Sequence, residues 1–598
     1  MSERARSGDP CVHAEVDIPQ GSPLARPYPA ARRRLVFGAA YIFALAIFFQ
    51  AQLASGFDLG FGDRADGLIE ISVLEHWRNV FGGLARWDTT AYFYPYGGTL
   101  GYNDGYFLYG CVYSAWRLLF DPFHADMLNL ATFKTIGFVA SYWLVARTLA
   151  WGRGAALGVA VLWTISGNLS LQAVHAQLQS VALLPVAMIL AVECVRASQA
   201  RRTRTARGCA IALAALLCAW LMTSFYMAWF TLFSGCLFLL CWGLPTGNWR
   251  PAAVARLVRA HVGTFLYGAV TFAILLLPFL HVYLPKMRET GGETVDAMRT
   301  WLVTPLVGMI NVGPDNYLWG WLFRALRAAI SDGSRDAAAI ASSRLGGEHQ
   351  SGFPLVLFAL IVTAAWLILV RNRDGSGRAV TPHLKTFALA MMIAWLLTLD
   401  LGAASPWALV FDLVPGARGM RVVARYQLWL TLPLLLLVVA VWRERGTVLA
   451  RSYPWHAAGI AVVLVVENLS AASPAQLRGS EQRAALWSIP APPSACDSFY
   501  VVASRRNEPL YGNAALQALY PHNVDAMLLA ERWNVPTING VSTFNPPDWA
   551  FAGPMAPDYD TRVRAYARRH GLMRLCRLDV RQAQAWTGAE RRGATPGN

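Results

Sequence analysis

The sequence holds no HExxH, no CxxC pair, no EF-hand loop, and no P-loop or GxGxxG placed after a strand. No dedicated metal cage is therefore visible, and a nucleotide-powered mechanism finds no support. Charge is also scarce. Only 15% of the 598 residues are Asp, Glu, Lys or Arg, against 55% hydrophobic, more apolar surface than one soluble core hides. There is no internal repeat, no low-complexity tract beyond the polar amino-terminal tail, and no small-residue cleavage site after the first apolar run, which is expected to stay as an anchor.

What is present is a series of apolar runs long enough to cross a hydrocarbon core about 30 Å thick. Spans are expected at 35–53, 128–149, 155–172, 177–196, 208–224, 226–243, 261–284, 353–370, 384–401, 424–442 and 455–470, about 11 in all. The formal charge of +16 sits in clusters between these runs, which argues for cytoplasmic loops rather than a nucleic-acid surface. Arg32, Arg33 and Arg34 precede the first span, and later clusters lie at 147–153, 196–207, 250–259, 371–378 and 443–451. Placing all of them inside demands an even number of crossings between neighbours, and the span count satisfies it. Segment 106–120, short and carrying Arg117, is read as re-entrant or interfacial.

This threading predicts a cytoplasmic tail (1–34), a transmembrane domain (35–470) with outer loops at 54–105, 285–352 and 402–423, and an outer domain (471–598). Strand-like "FYVVAS" and "LCRLDV" and helix-like "NVDAMLLAERW" and "DTRVRAYARRHG" make that last region a small α/β domain. Of nine cysteines, seven lie in the amino-terminal tail or in and beside apolar runs, where a lone thiol acts as a small hydrophobe. Cys496 and Cys576 fall near either end of the outer domain, and an oxidising compartment would let them form a disulfide, two buried thiols being the alternative. The loop "PTINGVSTFNPPDW" is turn-rich, and Asn539 and Trp549 in it are possible acceptor contacts.

Chemistry is expected on the outer face. In "FGDRADGLIEISVLEHW", Asp66, Ile69, Glu70, Val73 and Trp77 fall on one face of a helix lying along the membrane surface, so carboxylates share the apolar stripe. Asp63 and Asp66 also have the spacing of a helix cap and its partner. A carboxylate in a partly apolar cavity is made more basic by desolvation and takes a proton from a hydroxyl or amine; it also suits a divalent cation, Mg or Mn, beside a phosphate. Asp104 is either a second acid or a turn residue. His175, at the outer end of a span, suits a hydrogen bond to acceptor or phosphate. Arg421 and Arg425, one turn apart at the outward start of a span, form the best phosphate clamp, with Lys286 and Arg288 as weaker alternatives.

"GDRADGLIEISVLEHW", "YFYPYGGTLGYNDGY", "NLATFKTIGFVASYWLVARTL", "AVHAQLQS", "PGARGMRVVARYQ" and "PTINGVSTFNPPDW" together resemble the GT-C superfamily of polyprenyl-phosphate-dependent glycosyltransferases, in particular a large bacterial branch of it. The resemblance implies a GT-C-like helical bundle, a catalytic acid in the first outer loop matching Asp63 or Asp66, and a lipid-phosphate sugar donor. It also implies transfer on the outer face of the bacterial inner membrane to an envelope glycan, lipid or protein. Better-known relatives often place Asp and Glu together; here Arg64 and Ala65 intervene, which leaves the base open between the two aspartates. Rival readings are a transporter or lipid flippase, for which charged mid-span residues are sparse, and a non-catalytic envelope-assembly protein.

Overall fold

The computed structural model describes residues 30–246, 249–291, 303–331, 345–401, 405–503, 505, 513–582 and 585–587. Most of the expected amino-terminal tail and parts of the second and third outer loops lie outside them. The chain runs through α1 (Ala30–Phe48), strand β1 (Leu59–Gly60), α2 (Asp66–Phe81), α3 (Phe107–Trp116), α4 (Pro122–Trp143), α5 (Arg153–Thr164), α6 (Leu184–Gln199), α7 (Thr203–Leu221), α8 (Phe225–Thr246) and α9 (Pro251–Thr290). Then come α10 (Gly320–Ser331), α11 (Leu355–Leu369), α12 (Pro382–Leu397), α13 (Tyr426–Ser452) and α14 (Pro454–Val466). Among the described residues, six stretches of helix are long and apolar enough to cross a membrane, and α11, α12 and α14 are shorter apolar helices. The molecule is a polytopic helical bundle. Helix α13 is enclosed from Tyr426 to Val441 and exposed beyond it, and α9 lies on the rim with few buried residues.

Local chemistry sets several helix starts. Asp121 accepts from the backbone N–H of Phe123 at 3.0 Å, with Pro122 as the first residue of α4, and Thr381 caps α12 ahead of Pro382 in the same way. Helix α3 has ten residues, about 15 Å of rise, roughly half of what a crossing needs. A helix of that length does not cross a bilayer by itself. Arg117 and Tyr113 of segment 106–120 reach the buried Glu75 of α2, each at 2.5 Å, and Arg78 donates to Glu75 at 3.0 Å.

The expected helices 155–172 and 177–196 are interrupted. The first helix stops at Thr164, a five-residue helix (Gly167–Leu171) and 3-10 stretches run to Leu183, and α6 starts only at Leu184. Side-chain amides replace the missing helical bonds. Asn168 donates to Thr431 Oγ1 at 3.0 Å and Ser351 O at 3.2 Å, Gln179 donates to Leu169 O at 2.8 Å, and Asn468 Oδ1 accepts from Gly167 N at 3.1 Å. Non-helical backbone inside a membrane protein persists only where protein or a cavity satisfies it. This irregular stretch carries His175.

The tail builds strands β2 (Leu477–Arg478), β3 (Ser498–Val501), β4 (Leu575–Leu578) and β5 (Trp586–Thr587) and helices α15 (Ala514–Trp533) and α16 (Tyr559–Arg569). β3 pairs in parallel with β4, which pairs antiparallel with β5. Cys496 and Cys576 are joined by a disulfide. The expected α/β composition is present, yet the tail does not stand apart. β1 of the first outer loop pairs with β2 of the tail, Phe93 N donates to Asn539 O at 3.0 Å, and Thr537 N donates to Ala91 O at 2.8 Å. Glu531 of α15, fully buried, accepts from Ala91 N at 2.8 Å and from Asn79 of α2 at 3.1 Å. Leu68, Ile71, Tyr92 and Phe93 share one apolar core with Phe499, Val501, Met527 and Leu528. Outer loop and tail form a single layer at the end of the bundle.

Candidate functional site

The first outer loop enters α2 through a turn that only small residues fit. Gly62 has φ +75°, and a Cβ there would lie 2.8 Å from Gly67 Cα; a Cβ on Gly67 would lie 2.9 Å from Phe61 O. Between the two glycines, Asp63 Oδ1 accepts from the backbone N–H groups of Ala65 at 2.7 Å and Asp66 at 2.8 Å. Asp63 thus starts the helix. Asp66 is the first residue of α2, and its side chain is 41% exposed.

Three groups from distant parts of the chain meet Asp66. His175 Nδ1 lies 3.6 Å from Asp66 Oδ2, and its Nε2 lies 3.1 Å from Glu348 Oε1. Arg425 grips Glu348 with both branches of its fork, Nε to Oε2 at 3.0 Å and Nη2 to Oε1 at 2.5 Å, and its guanidinium stacks over the Tyr226 ring at 5.3 Å. Tyr226 Oη in turn accepts from the backbone N–H groups of Arg421 at 2.8 Å and Val422 at 3.1 Å. The result is a chain of contacts, Asp66 to His175 to Glu348 to Arg425, ending at the start of α13. Arg421 is exposed. The phenol of Tyr520 on α15, raised by burial, feels the charges of both Asp66 and Arg421 and borders this mouth.

The electrostatics follow from these distances. Burial raises the Asp66 carboxyl above the ordinary aspartate range; His175 and Arg425 oppose that rise, while Asp63 and Glu348 reinforce it. Burial alone would raise Glu348 too, but Arg425 and His175 reverse the effect and hold it well below the usual carboxylate range. Glu348 is thus the fixed anion and Asp66 the labile one. A carboxylate only accepts, so the His175 Nε2 position carries the proton shared with Glu348. Nδ1 faces the Asp66 carboxyl. At 3.6 Å the two are beyond hydrogen-bond reach.

The remaining expected site residues fall elsewhere. Asp104 accepts from Phe225 N at 3.0 Å and so caps α8; burial raises its pKa, and Arg425 is near enough to lower it. It is part of the wall behind the mouth. Glu70 turns inward and is buried against Asp126, with no surface for a phosphate. Asn539 is 0% exposed, its amide spent on Asn523 at 2.7 Å, Tyr559 at 3.2 Å and Val501 N at 2.8 Å. It organises the tail from within and cannot touch an acceptor. Trp549 is partly exposed, bonded to Ile538 O at 3.2 Å and packed edge-on against Phe93. Lys286 is engaged by Glu289 and Tyr102, each at 3.0 Å. Among the described residues no group of three or more His, Cys, Asp or Glu is gathered to hold a metal ion. Glu348, Tyr226 and Tyr520 are members that the sequence reading missed. The available signal was the demand of a buried arginine for a carboxylate, but loop 285–352 offers seven acids and nothing in the sequence singles out Glu348.

Glu70 carries a stability prediction. Burial, then the neighbouring Asp126, raise its pKa well above the usual range. A carboxyl whose folded pKa exceeds its unfolded value favours folding only when protonated, so this contribution is lost as pH rises through the folded value. Glu70→Gln removes the charge and adds a donor toward Asp126. Thermal unfolding in detergent at neutral pH should show melting higher by about 2–4 °C, the shift expected for ~1 kcal/mol in a large domain, and the gain should shrink on acidification. An unchanged or lower melting temperature would contradict this account.

No protein-family model matches the chain, and no curated protein matches it. Among solved structures a match is found to the crystal structure of ArnT from Cupriavidus metallidurans in the apo state, at 15% sequence identity over 71% of this chain and 80% of that one, with a TM-score of 0.32.

Proposed function

We propose that the chain is a membrane glycosyltransferase that moves a sugar from a polyprenyl-phosphate donor to a hydroxyl of an envelope glycan, lipid or protein. The observation that carries this reading is the chain of contacts from Asp66 through His175 and Glu348 to Arg425 at one mouth, beside helices apolar enough to hold a prenyl tail. The likeness of the short motifs to GT-C enzymes points the same way. Asp66, made basic by burial, takes the proton of the acceptor hydroxyl; the freed oxygen bonds to the anomeric carbon as the bond to the phosphate oxygen breaks. Arg421 and Arg425 stabilise the charge that collects on the departing polyprenyl phosphate. A single displacement inverts the anomeric centre. Asp63 supports the base by fixing the first turn of α2.

We place this mouth on the outer face of a bacterial inner membrane, with the amino terminus cytoplasmic and the tail periplasmic. The basic clusters between spans and the Cys496–Cys576 disulfide, which an oxidising compartment favours, support that orientation. The test is reconstitution in liposomes with polyprenyl-phosphate sugars, following free polyprenyl phosphate and sugar-bearing acceptor. Wild-type protein should release the lipid phosphate and Asp66→Asn should not. Movement of intact lipid between leaflets without cleavage would replace this reading with a flippase.

A further inference from the structure

The phosphate-holding role given to Arg425 meets an obstacle in the structure: its guanidinium is already occupied. Both Glu348 oxygens are forked onto Nε and Nη2, one face lies on Tyr226, and the residue is 6% exposed. A carboxylate forked on arginine presents two oxygens in one plane, as two oxygens of a phosphate do. Glu348 is the more open partner, 24% exposed, so a molecule entering from the mouth meets its carboxylate before it meets the arginine.

We propose that Glu348 is the resident occupant of an anion site, and that the phosphate of a lipid-linked ligand takes its place on Arg425. The inference rests on the sugar-transfer reading for the identity of that ligand. A buried guanidinium left bare is strongly destabilising, so a site built to hold phosphate needs a substitute anion while it is empty. Glu348 supplies one. In the resting arrangement the same Oε1 is shared by Arg425 Nη2 at 2.5 Å and His175 Nε2 at 3.1 Å, so the histidine stands beside the carboxylate that has to move.

The surroundings are built for a change of side chain alone. The backbone around Glu348 is tied down by Asn311, which donates to Leu345 O and His349 O at 3.1 Å each, and by Gln172, which donates to Gly347 O at 3.2 Å. Arg425 is fixed by its place at the start of the 27-residue α13, whose amino-terminal end adds partial positive charge toward an anion. Only the torsions of the Glu348 side chain need to change. A neutral prenyl alcohol offers nothing to displace a carboxylate, so the site selects for the phosphorylated lipid.

The test is titration of the full-length protein in detergent with farnesyl phosphate and, separately, farnesol. Wild-type protein should bind the phosphate and not the alcohol. Glu348→Gln keeps the shape and one acceptor but loses the competing charge, and should bind farnesyl phosphate about tenfold more tightly. Adding Arg425→Gln should remove that gain. Should Glu348→Gln fail to fold, Glu348→Asp, too short to span the fork, should also bind more tightly than wild type. Equal or weaker binding by the folded variant, or no binding by any protein in the series, overturns the proposal. A protein that cleaves donor while Glu348→Gln gains no affinity refutes the exchange and leaves sugar transfer standing; the predicted order of binding without cleavage of any donor refutes sugar transfer and keeps the anion site.

Discussion

Asp66→Asn is expected to lower turnover by about 10²–10⁴-fold, the usual worth of a positioned general base, while thermal unfolding in detergent stays within about 0.5 kcal/mol of wild type. The asymmetry comes from geometry. The Asp66 side chain is 41% exposed, and its backbone N–H is held by Asp63 whichever residue stands at position 66. Asp63 should behave in the opposite way. Asp63→Asn retains a carbonyl oxygen for the N–H groups of Ala65 and Asp66 and should keep most activity; Asp63→Ala loses the cap, at about 1 kcal/mol, and loosens the turn that aims Asp66. A large loss in Asp63→Asn with none in Asp66→Asn would transfer the base to Asp63. The pH profile adds an independent readout. A base works deprotonated, and burial raises the Asp66 pKa, so kcat/KM should rise with unit slope through that raised value and then level off. On acidification, activity should begin to fall at a higher pH than for a free aspartate, because protein groups crowd the carboxyl on the sides it does not open to solvent.

The second large effect is on stability. Glu75→Ala should destabilise the protein by about 3–5 kcal/mol, because removing one partner of a buried ion pair leaves the other uncompensated. Glu75 is 4% exposed and serves Arg117, Tyr113 and Arg78 together. It is the tie between α2 and the short α3. Replacing both Glu75 and Arg117 by leucine should cost less than Glu75→Ala alone, since the pair is then removed with its desolvation. Melting curves of the two variants and wild type decide it: a Glu75→Ala protein as stable as wild type would show that α3 is held by apolar packing alone.

The bundle was legible because hydropathy counts composition, and composition over about 20 residues decides whether a helix suits lipid. The break at 165–183 was not, because it depends on where Asn168 and Gln179 find partners, and those lie in the segment's own backbone and on α13. In α2 the shared face of Asp66, Glu70, Val73 and Trp77 was readable, but its two acids part company: Asp66 opens to the mouth while Glu70 is sealed against Asp126. The expected tail helix at 523–533 starts at Ala514, running through Pro521, a residue that reads as a stop in sequence. Glu348 could not be found by spacing, since it lies 77 positions from Arg425 and only the folded chain brings them together. The acceptor contact assigned to Asn539 fails for a related reason, as asparagine in a turn-rich loop looks the same whether it faces water or the core.

The pairing of Leu59 with Arg478 and Gly60 with Leu477 sets an order of events during biosynthesis. The ribosome makes the acid-bearing loop early, yet the strand beside it and the Glu531 carboxylate that receives Asn79 and Ala91 are made hundreds of residues later and must follow their helices through the translocon. The nascent protein therefore carries that loop without its partner strand for most of its synthesis, and the layer closes only when the last quarter of the chain has been made.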